Sequence, residues 1–591
     1  MKKRLKPAKK HGSGKRGPDR PAQNEQGPGR QGHEEQGVIV KQGKNLIKAA
    51  LVYPNTYKAG MSSLGFQTVY RLANQVEAIA CERVFLPDPG QKERAVKSLE
   101  TGLSLDKFDI ILFSISFEND FLHLAQLLKE TGIPLRSSDR NHIHPLVVAG
   151  GVACFLNPEP IAPFMDLFLL GEAECLLDVF FKHFQKAENK AALLSTIEAA
   201  LPGAYVPALH PPILYSEQEN SPHFPPAKIQ VQYLDSLDQI KTTTTIMTAD
   251  TAFKETFLIE TLKGCPHGCR FCTAGFIYRP PRIYPLATIY QAIDEAKLRT
   301  NKIGLVSSAV LDHPDIGLIC QYARDQGLKL AFSSLRADKL TAPIIRILSD
   351  SGVKTATIAP EAGSQRMRNI INKKITEKQI LNAAKRLVDK GIINLKLYFM
   401  IGLPFETDQD VAEIVLLVLA IKTVFLNASK KKKKIGTITL SINPFIPKPC
   451  TPFQWSAMTR EPLLKHRAEI LRQGLKKTAN VTLNFESLRE AKRHALLSLG
   501  DRHTADIIES AVAFGWTRAL RLNTDYLDRV IYQEKPMPDK TFPKMALPWN
   551  ILHHRVTDTF LSNEYKKAQQ EKKSVSCPMK DCSRCQVCIS V

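Results

Sequence analysis

Residues 257–272 read FLIETLKGCPHGCRFC: a short apolar run, a glycine, then three cysteines separated by three and two residues. Phe257 to Lys263 has the composition of a buried strand, and Gly264 supplies the turn that ends it. Three thiols on one loop can converge on a single inorganic centre, because each turn of chain returns a sulfur to the same side. They provide three ligands, not four. A cubane held by Cys265, Cys269 and Cys272 keeps one iron open, and an open iron can chelate the amino and carboxylate groups of a small molecule. A zinc site that borrows His267 or a distant ligand, or a set of reactive free thiols, is the alternative reading of the same residues.

Downstream the chain alternates strand-like and helical patterns. KIGLVSSAV (302–310), LKLAFSSLRA (328–337), TATIAPEAG (355–363), NLKLYFMIGLP (394–404) and TITLSINPFI (437–446) read as strands, with amphipathic segments between them. With the first strand this makes six, and right-handed crossovers predict a partial (β/α)6 TIM-like barrel over residues 251–460. Chemistry is expected at the carboxyl ends of its strands. The run Lys430–Lys434 falls in the last crossover and reads as a solvated loop. Asn443 to Trp455 closes the sixth strand, its four prolines stiffening a loop over the barrel mouth and leaving Lys448 and Cys450 to project.

Upstream, residues 45–190 hold five buried runs, AALVYP, IACERVFL, FDIILFSISF, PLVVAGG and DLFLLG, interleaved with helical LGFQTVYRLANQ, LHLAQLLKE and LLDVFFKHFQ. That pattern predicts a doubly wound parallel sheet with a ligand rim at its carboxyl ends. Residues 191–250 read as a connector, 461–575 as a mostly helical region, and 576–591 as a cysteine-rich tail. In the tail Cys577, Cys582, Cys585 and Cys588 form a closed ligand set, fit for zinc or a second iron–sulfur cluster. Residues 1–44, basic and glycine-rich at their start, read as a disordered tail. The expected class is α/β: an N-terminal doubly wound sheet, a central partial barrel, and a helical C-terminal region ending in the cysteine tail.

Composition narrows the setting. In 591 residues, 81 Lys and Arg against 58 Asp and Glu leave a net charge of +23, which favours a polyanionic partner such as RNA. The longest apolar stretch, Ile414 to Leu426, contains Lys422, so no membrane span or membrane partner is expected. The basic N-terminus has no apolar core after it, so no secretory signal is read and a cytoplasmic location is expected. Seven of the twelve cysteines fall in the two tight groups, the mark of metal sites in a reducing compartment rather than a disulfide framework.

The loop at 265–272 resembles the Cys-x3-Cys-x-aromatic-Cys signature of the radical S-adenosylmethionine (SAM) enzymes, with Phe271 in the aromatic position. The resemblance implies a 4Fe–4S cluster whose open iron binds SAM, reductive cleavage to a 5′-deoxyadenosyl radical, and hydrogen abstraction from a substrate. It also implies SAM contacts: Ser307 and Ser308 near the methionine amino group, Arg336 at the carboxylate, Glu361 at the ribose, and Ile401–Gly402 against the adenine. An electron donor such as a flavodoxin or ferredoxin follows from the same likeness. The N-terminal domain resembles cobalamin-binding domains through Gly150, Gly151, Asn157, Pro158, Glu159, Pro160, Gly171 and Glu172, but no Asp-x-His-x-x-Gly sequence follows its first strand. Either cobalamin binds without a histidine ligand, or the domain serves as a substrate or partner platform. After hydrogen abstraction the resemblance leaves methyl or methylthio transfer to RNA, or cobalamin-assisted modification of a small molecule or peptide. A non-catalytic iron–sulfur electron carrier or sensor is the reading from another class.

Overall fold

Alternation within buried strands builds the N-terminal sheet. The computed structural model describes residues 33–88, 95–215, 228–332, 335–430, 435–537 and 547–589. Strands β1 (Ile47–Thr56), β2 (Ile79–Leu86), β3 (Ile110–Ser114), β4 (Leu146–Gly150) and β5 (Leu167–Leu169) pair in parallel in the order β2-β1-β3-β4-β5. Val52, Phe113 and Val147 pack into one core and their chain neighbours Leu51, Leu112 and Val148 into another, as the two-residue period of a strand requires. Helices α1 (Leu64–Gln75) and α3 (Ala173–Lys186) cover one face and α2 (Phe121–Glu130) the other, so the sheet is doubly wound as expected. The Ser63 hydroxyl caps α1 by accepting from the Phe66 amide.

Both edges of this domain reach further than the sequence suggested. Ala204–Tyr205 adds a sixth, antiparallel strand β6 beside β5, and helix α4 (Lys190–Ala200) leads into it, so the start of the expected connector belongs to the domain. A two-residue strand carries no readable period. Residues 1–32 of the basic tail lie outside the described residues, but residues 33–44 belong to the fold. Glu35–Gln36 pairs antiparallel with Met247–Thr248, and the Glu35 carboxylate accepts from Arg83 at 2.6 and 2.8 Å. Arg83 is fully buried in β2 and needs both Glu35 and Glu100 to balance its charge.

Among the described residues the central strands are seven, not six. Strands β7 (Phe257–Glu260), β8 (Lys302–Val306) and β9 (Lys329–Phe332) form one parallel arc. A second comprises β10 (Thr355–Glu361), β11 (Asn394–Ile401), β12 (Ile438–Pro444) and β13 (Val481–Phe485). Strand β13 pairs in parallel with β12, so the central βα unit runs past residue 460 and the helix Glu461–Leu475 is a crossover rather than the start of the helical region. An edge strand with no fully buried residue gives a weak apolar signal, which is why VTLNF reads as an isolated strand.

Helix Asp408–Lys430 crosses between β11 and β12 and is, by length and composition, long and apolar enough to span a membrane; Lys422 does not interrupt it. Here Val411, Ile414, Val418, Ile421 and Phe425 are buried in the barrel core. Residues 431–434 of the lysine run lie outside the described residues.

Candidate functional site

The three-cysteine loop is closed at its base by a short antiparallel clip, Leu262–Lys263 against Arg282–Ile283. Within the loop the Cys272 amide donates to the Cys269 carbonyl at 3.0 Å, and the His267 and Ala274 amides donate to the Cys265 and Cys272 sulfurs. Burial, with the nearby Cys269, pushes the Cys265 thiol up to about 12 and the Cys272 thiol up to about 11. The three thiols therefore lie within electrostatic reach of one another in a dry environment, and a metal centre binding there displaces protons. His267 is turned away from them, its Nε2 at 2.9 Å from Asp312 Oδ2, and Asp312 is paired in turn with Lys339.

A second layer, distant in sequence, fixes this loop. Arg270 is fully buried and donates to the carbonyls of Ile370 (2.6 Å) and Lys572 (2.8 Å) and to the Glu564 carboxylate. Its own amide donates to the Ile371 carbonyl, and the Asn372 side chain donates to Gly268 O at 2.8 Å while accepting from the Ser574 amide at 2.9 Å. Glu564 lies on the helix Asp558–Gln569, so the loop is braced from both the barrel and the C-terminal region.

The other strand ends present charge to the thiols. Arg336, after β9, faces Cys269 and Cys265; Asp338 takes its Nε and Nη2, and the Lys373 carbonyl also accepts from Nη2. Glu361 ends β10 beyond a register shift, with φ 68° in the left-handed region, a conformation costing about 1–2 kcal/mol for a side chain of its kind. Its carboxylate accepts from Lys373 Nζ at 3.0 Å. Burial works against the Lys373 ammonium, but Glu361 and Cys269 outweigh it and hold its pKa above the usual lysine value. Burial pushes the neighbouring Lys374 down to about 8. Lys373 and Lys374 were not singled out from sequence; the pair sits in INKKIT, where polar residues interrupt an apolar run.

The other expected residues stand in the loop and at neighbouring strand ends. Ser308 is exposed after β8, and the Ser307 hydroxyl accepts from the Ala309 amide at 3.1 Å. Ile401 is buried at the end of β11, Gly402 follows with φ 82° and donates to Glu406 at 2.6 Å, and Phe271 packs against the barrel core. Lys448 and Cys450 do not project. Lys448 donates to Glu118 of the N-terminal rim at 2.6 Å, and burial pushes the Cys450 thiol above its ordinary range. Burial opposes ionisation of Glu118, yet Lys448 and His494 prevail and hold its carboxyl far below the usual carboxylate range. The proline-rich loop thus ties the barrel to the N-terminal domain.

The residues that carry the cobalamin-domain likeness also act as fasteners. Asn157 donates to the carbonyls of Ser498 and Gly500, Glu159 accepts from Tyr205 and Arg502, and Glu172 accepts two bonds from Arg282 at 2.8 and 2.6 Å. Gly151, at φ 101°, leaves no room for a side chain against the Ile115 carbonyl. A cavity of about 300 Å³ lies at the carboxyl ends of β3 and β4, lined by Ser114, Gly150 and Gly151 and, from the barrel side, Glu260 and Lys263. Among the described residues, no histidine lines it.

The tail cysteines stand behind the loop. Cys577, Cys582, Cys585 and Cys588 line a cavity of about 510 Å³ together with Gly268, Arg279 and Asn372, and the Cys577 amide donates to Pro266 O at 2.8 Å. Among the described residues, no three His, Cys, Asp or Glu side chains are drawn together around a single ion.

Two family models match this chain: radical SAM proteins, N-terminal, over residues 65–207, and the radical SAM superfamily over residues 259–418. An uncharacterized protein of Methanocaldococcus jannaschii is 32% identical over 474 residues, 80% of this chain and 92% of that protein. An uncharacterized methyltransferase of Pyrococcus horikoshii is 24% identical over 164 residues, 26% of this chain and 34% of that one. Among solved structures, the radical SAM methyltransferase TsrM from Kitasatospora setae, with cobalamin and a 4Fe–4S cluster bound, aligns at 12% identity and a TM-score of 0.42 over 82% of this chain and 99% of its own. With both its N-terminal and central regions matched and a relative alike over most of its length, this chain belongs to the radical SAM superfamily, enzymes that bind a 4Fe–4S cluster and SAM.

Proposed function

We propose that Cys265, Cys269 and Cys272 hold the cluster and that SAM lies between it and the ends of β8 to β11. The observation that carries this is that three thiols on one braced loop, one buried and two partly buried and within electrostatic reach of one another, share their surroundings with Arg336 and the Lys373–Glu361 pair. The donor set fits the group: three soft thiolates, with His267 committed to Asp312 rather than free to complete a zinc site. When bound, cluster and SAM supply reductive cleavage of the sulfonium and a 5′-deoxyadenosyl radical that takes hydrogen from an unactivated C–H bond. The chain's share is placement. Arg336, steadied by Asp338, orients a carboxylate; Glu361 accepts from ribose hydroxyls; Ser307 and Ser308 meet the amino group; Phe271, Ile401 and Gly402 pack the nucleoside and keep water out.

The substrate reading is RNA, modified by methyl or methylthio transfer, which the net charge of +23 supports. A second reading rests on the 300 Å³ cavity between the N-terminal rim and the barrel: it is of a size for a small molecule or a peptide side chain, and a cobalamin assisting chemistry on it would extend beyond this cavity and find no histidine among the described lining residues. The test is anaerobic incubation of iron-loaded protein with dithionite and SAM. 5′-Deoxyadenosine is expected, and none from Cys269→Ala; no product from fully loaded wild-type protein would return the chain to the electron-carrier class. Mass analysis of bulk tRNA, against visible absorption of bound corrinoid, separates the two substrate readings.

A further inference from the structure

The four tail cysteines have a setting that cluster chemistry on the loop does not use. They sit within twelve residues, and Met579, Asp581 and Gln586 between them all adopt left-handed φ values of 72°, 50° and 65°. Such turns fold the chain back on itself, and they bring backbone donors to sulfur: the Met579 amide to Cys577 and the Cys582 amide to Cys588. Cys577 interacts electrostatically with Cys585 and Cys588, and Cys588 with Cys582 and Cys585. The thiols line part of a cavity of about 510 Å³, which Gly268, Arg279 and Asn372 also line, and among the described residues no three of them close on a single point. A single zinc needs sulfurs about 2.3 Å from one centre, whereas an iron–sulfur cluster fills a volume.

The position of the cavity is as telling as its ligands. Gly268, which stands between Cys265 and Cys269, lines it, and the Cys577 amide donates to Pro266 O of the same loop. Lys374 Nζ, which reaches Ser576 at 3.1 Å, lies within electrostatic reach of both Cys269 and Arg279, so the two sites share cations that favour electron-rich centres. Arg279 is fixed by its bond to Gly275 O and by the rings of Phe276 and Phe560. Outward, Lys566, Lys572, Lys573, Lys580 and Arg584 are exposed around the tail.

We propose that Cys577, Cys582, Cys585 and Cys588 hold a second iron–sulfur cluster, and that it relays single electrons from an acidic protein carrier to the cluster on Cys265, Cys269 and Cys272. The destination of the electron rests on the function proposed above; the tail site itself does not. In the relay the reduced carrier loses one electron, the tail cluster gains it and then returns to its oxidised state as the loop cluster is reduced. No bond forms or breaks and no proton moves. The basic rim recruits the carrier by charge, and Gly268, common to the loop and the cavity lining, sets the two sites side by side.

Full-length protein reconstituted anaerobically should contain about eight irons per chain and no stoichiometric zinc, and Cys582→Ala/Cys585→Ala about four. One zinc with about four irons in the wild type overturns the cluster. In stopped flow, reduced flavodoxin should reduce the loop cluster of the double variant at least about tenfold more slowly than in the wild type, while dithionite still produces its EPR signal. Equal rates with flavodoxin overturn the relay. If the double variant loses both clusters, Lys580→Glu/Arg584→Glu decides: with all irons retained, its flavodoxin-driven rate should fall about tenfold, and an unchanged rate counts against carrier docking here. Cys269→Ala should keep the tail's irons while forming no 5′-deoxyadenosine, so failure of the loop reading and failure of the tail reading give different results.

Discussion

Arg270 shows how much of the site lies in residues without chemistry of their own. Wholly buried between two cysteines, it ties the loop to residues 370, 564 and 572. Arg270→Ala removes the buried guanidinium from Glu564, which among the described residues keeps Lys567 and Ser574, and should cost about 3 kcal/mol in denaturant melts, with lower iron occupancy after reconstitution. A variant with unchanged melts and full iron would show that the loop needs no brace. From sequence, the thiols are legible because their spacing is the chemistry, whereas Arg336 and Glu361 are named only through the family resemblance. Arg270, Lys373 and Asn372 are not: Glu564 is 294 positions from Arg270, and nothing local marks such a pair.

Elements with a clear period are equally legible. The five parallel strands of the N-terminal sheet and helix α1 fall where alternating and 3.6-residue patterns put them, since both faces of that sheet are buried. Strand β6 is too short to carry that signal, and β13, half-exposed, reads as a strand without showing that it joins the sheet. The end of β11 offers a test at this scale. Gly402, at φ 82°, has Leu464 Cδ2 2.7 Å and the Thr459 side chain 3.1 Å from where a Cβ would stand. Gly402→Ala combines left-handed strain with overpacking and should cost about 1–3 kcal/mol by thermal or chemical unfolding. A loss below a few tenths would mean that the strand end yields freely.

Across the whole molecule, the N-terminal domain, barrel and C-terminal helices are joined by buried polar contacts that no local reading of the sequence reveals. Glu172→Ala leaves Arg282 buried without its partner and should destabilise the protein by about 3–5 kcal/mol. His554 gives the same joint a pH dependence. Burial holds its pKa down to about 3, and it contacts the Tyr233 hydroxyl at 2.7 Å. The folded state therefore keeps it neutral while the unfolded chain protonates it near 6.5, so its contribution is full above that pH and is lost as pH falls toward 3. Relative to His554→Gln, the wild type should lose up to about 1.4 kcal/mol per pH unit in that window, read from urea melts at successive pH values. Parallel pH profiles for the two proteins would mean that His554 titrates normally. The open iron is tested most directly by EPR of the reduced, iron-loaded Cys582→Ala/Cys585→Ala protein, which isolates the loop cluster, with and without SAM. The cluster signal should shift its g values on SAM addition; a fully developed cluster signal that saturating SAM leaves unmoved would contradict a SAM-binding iron at Cys265, Cys269 and Cys272.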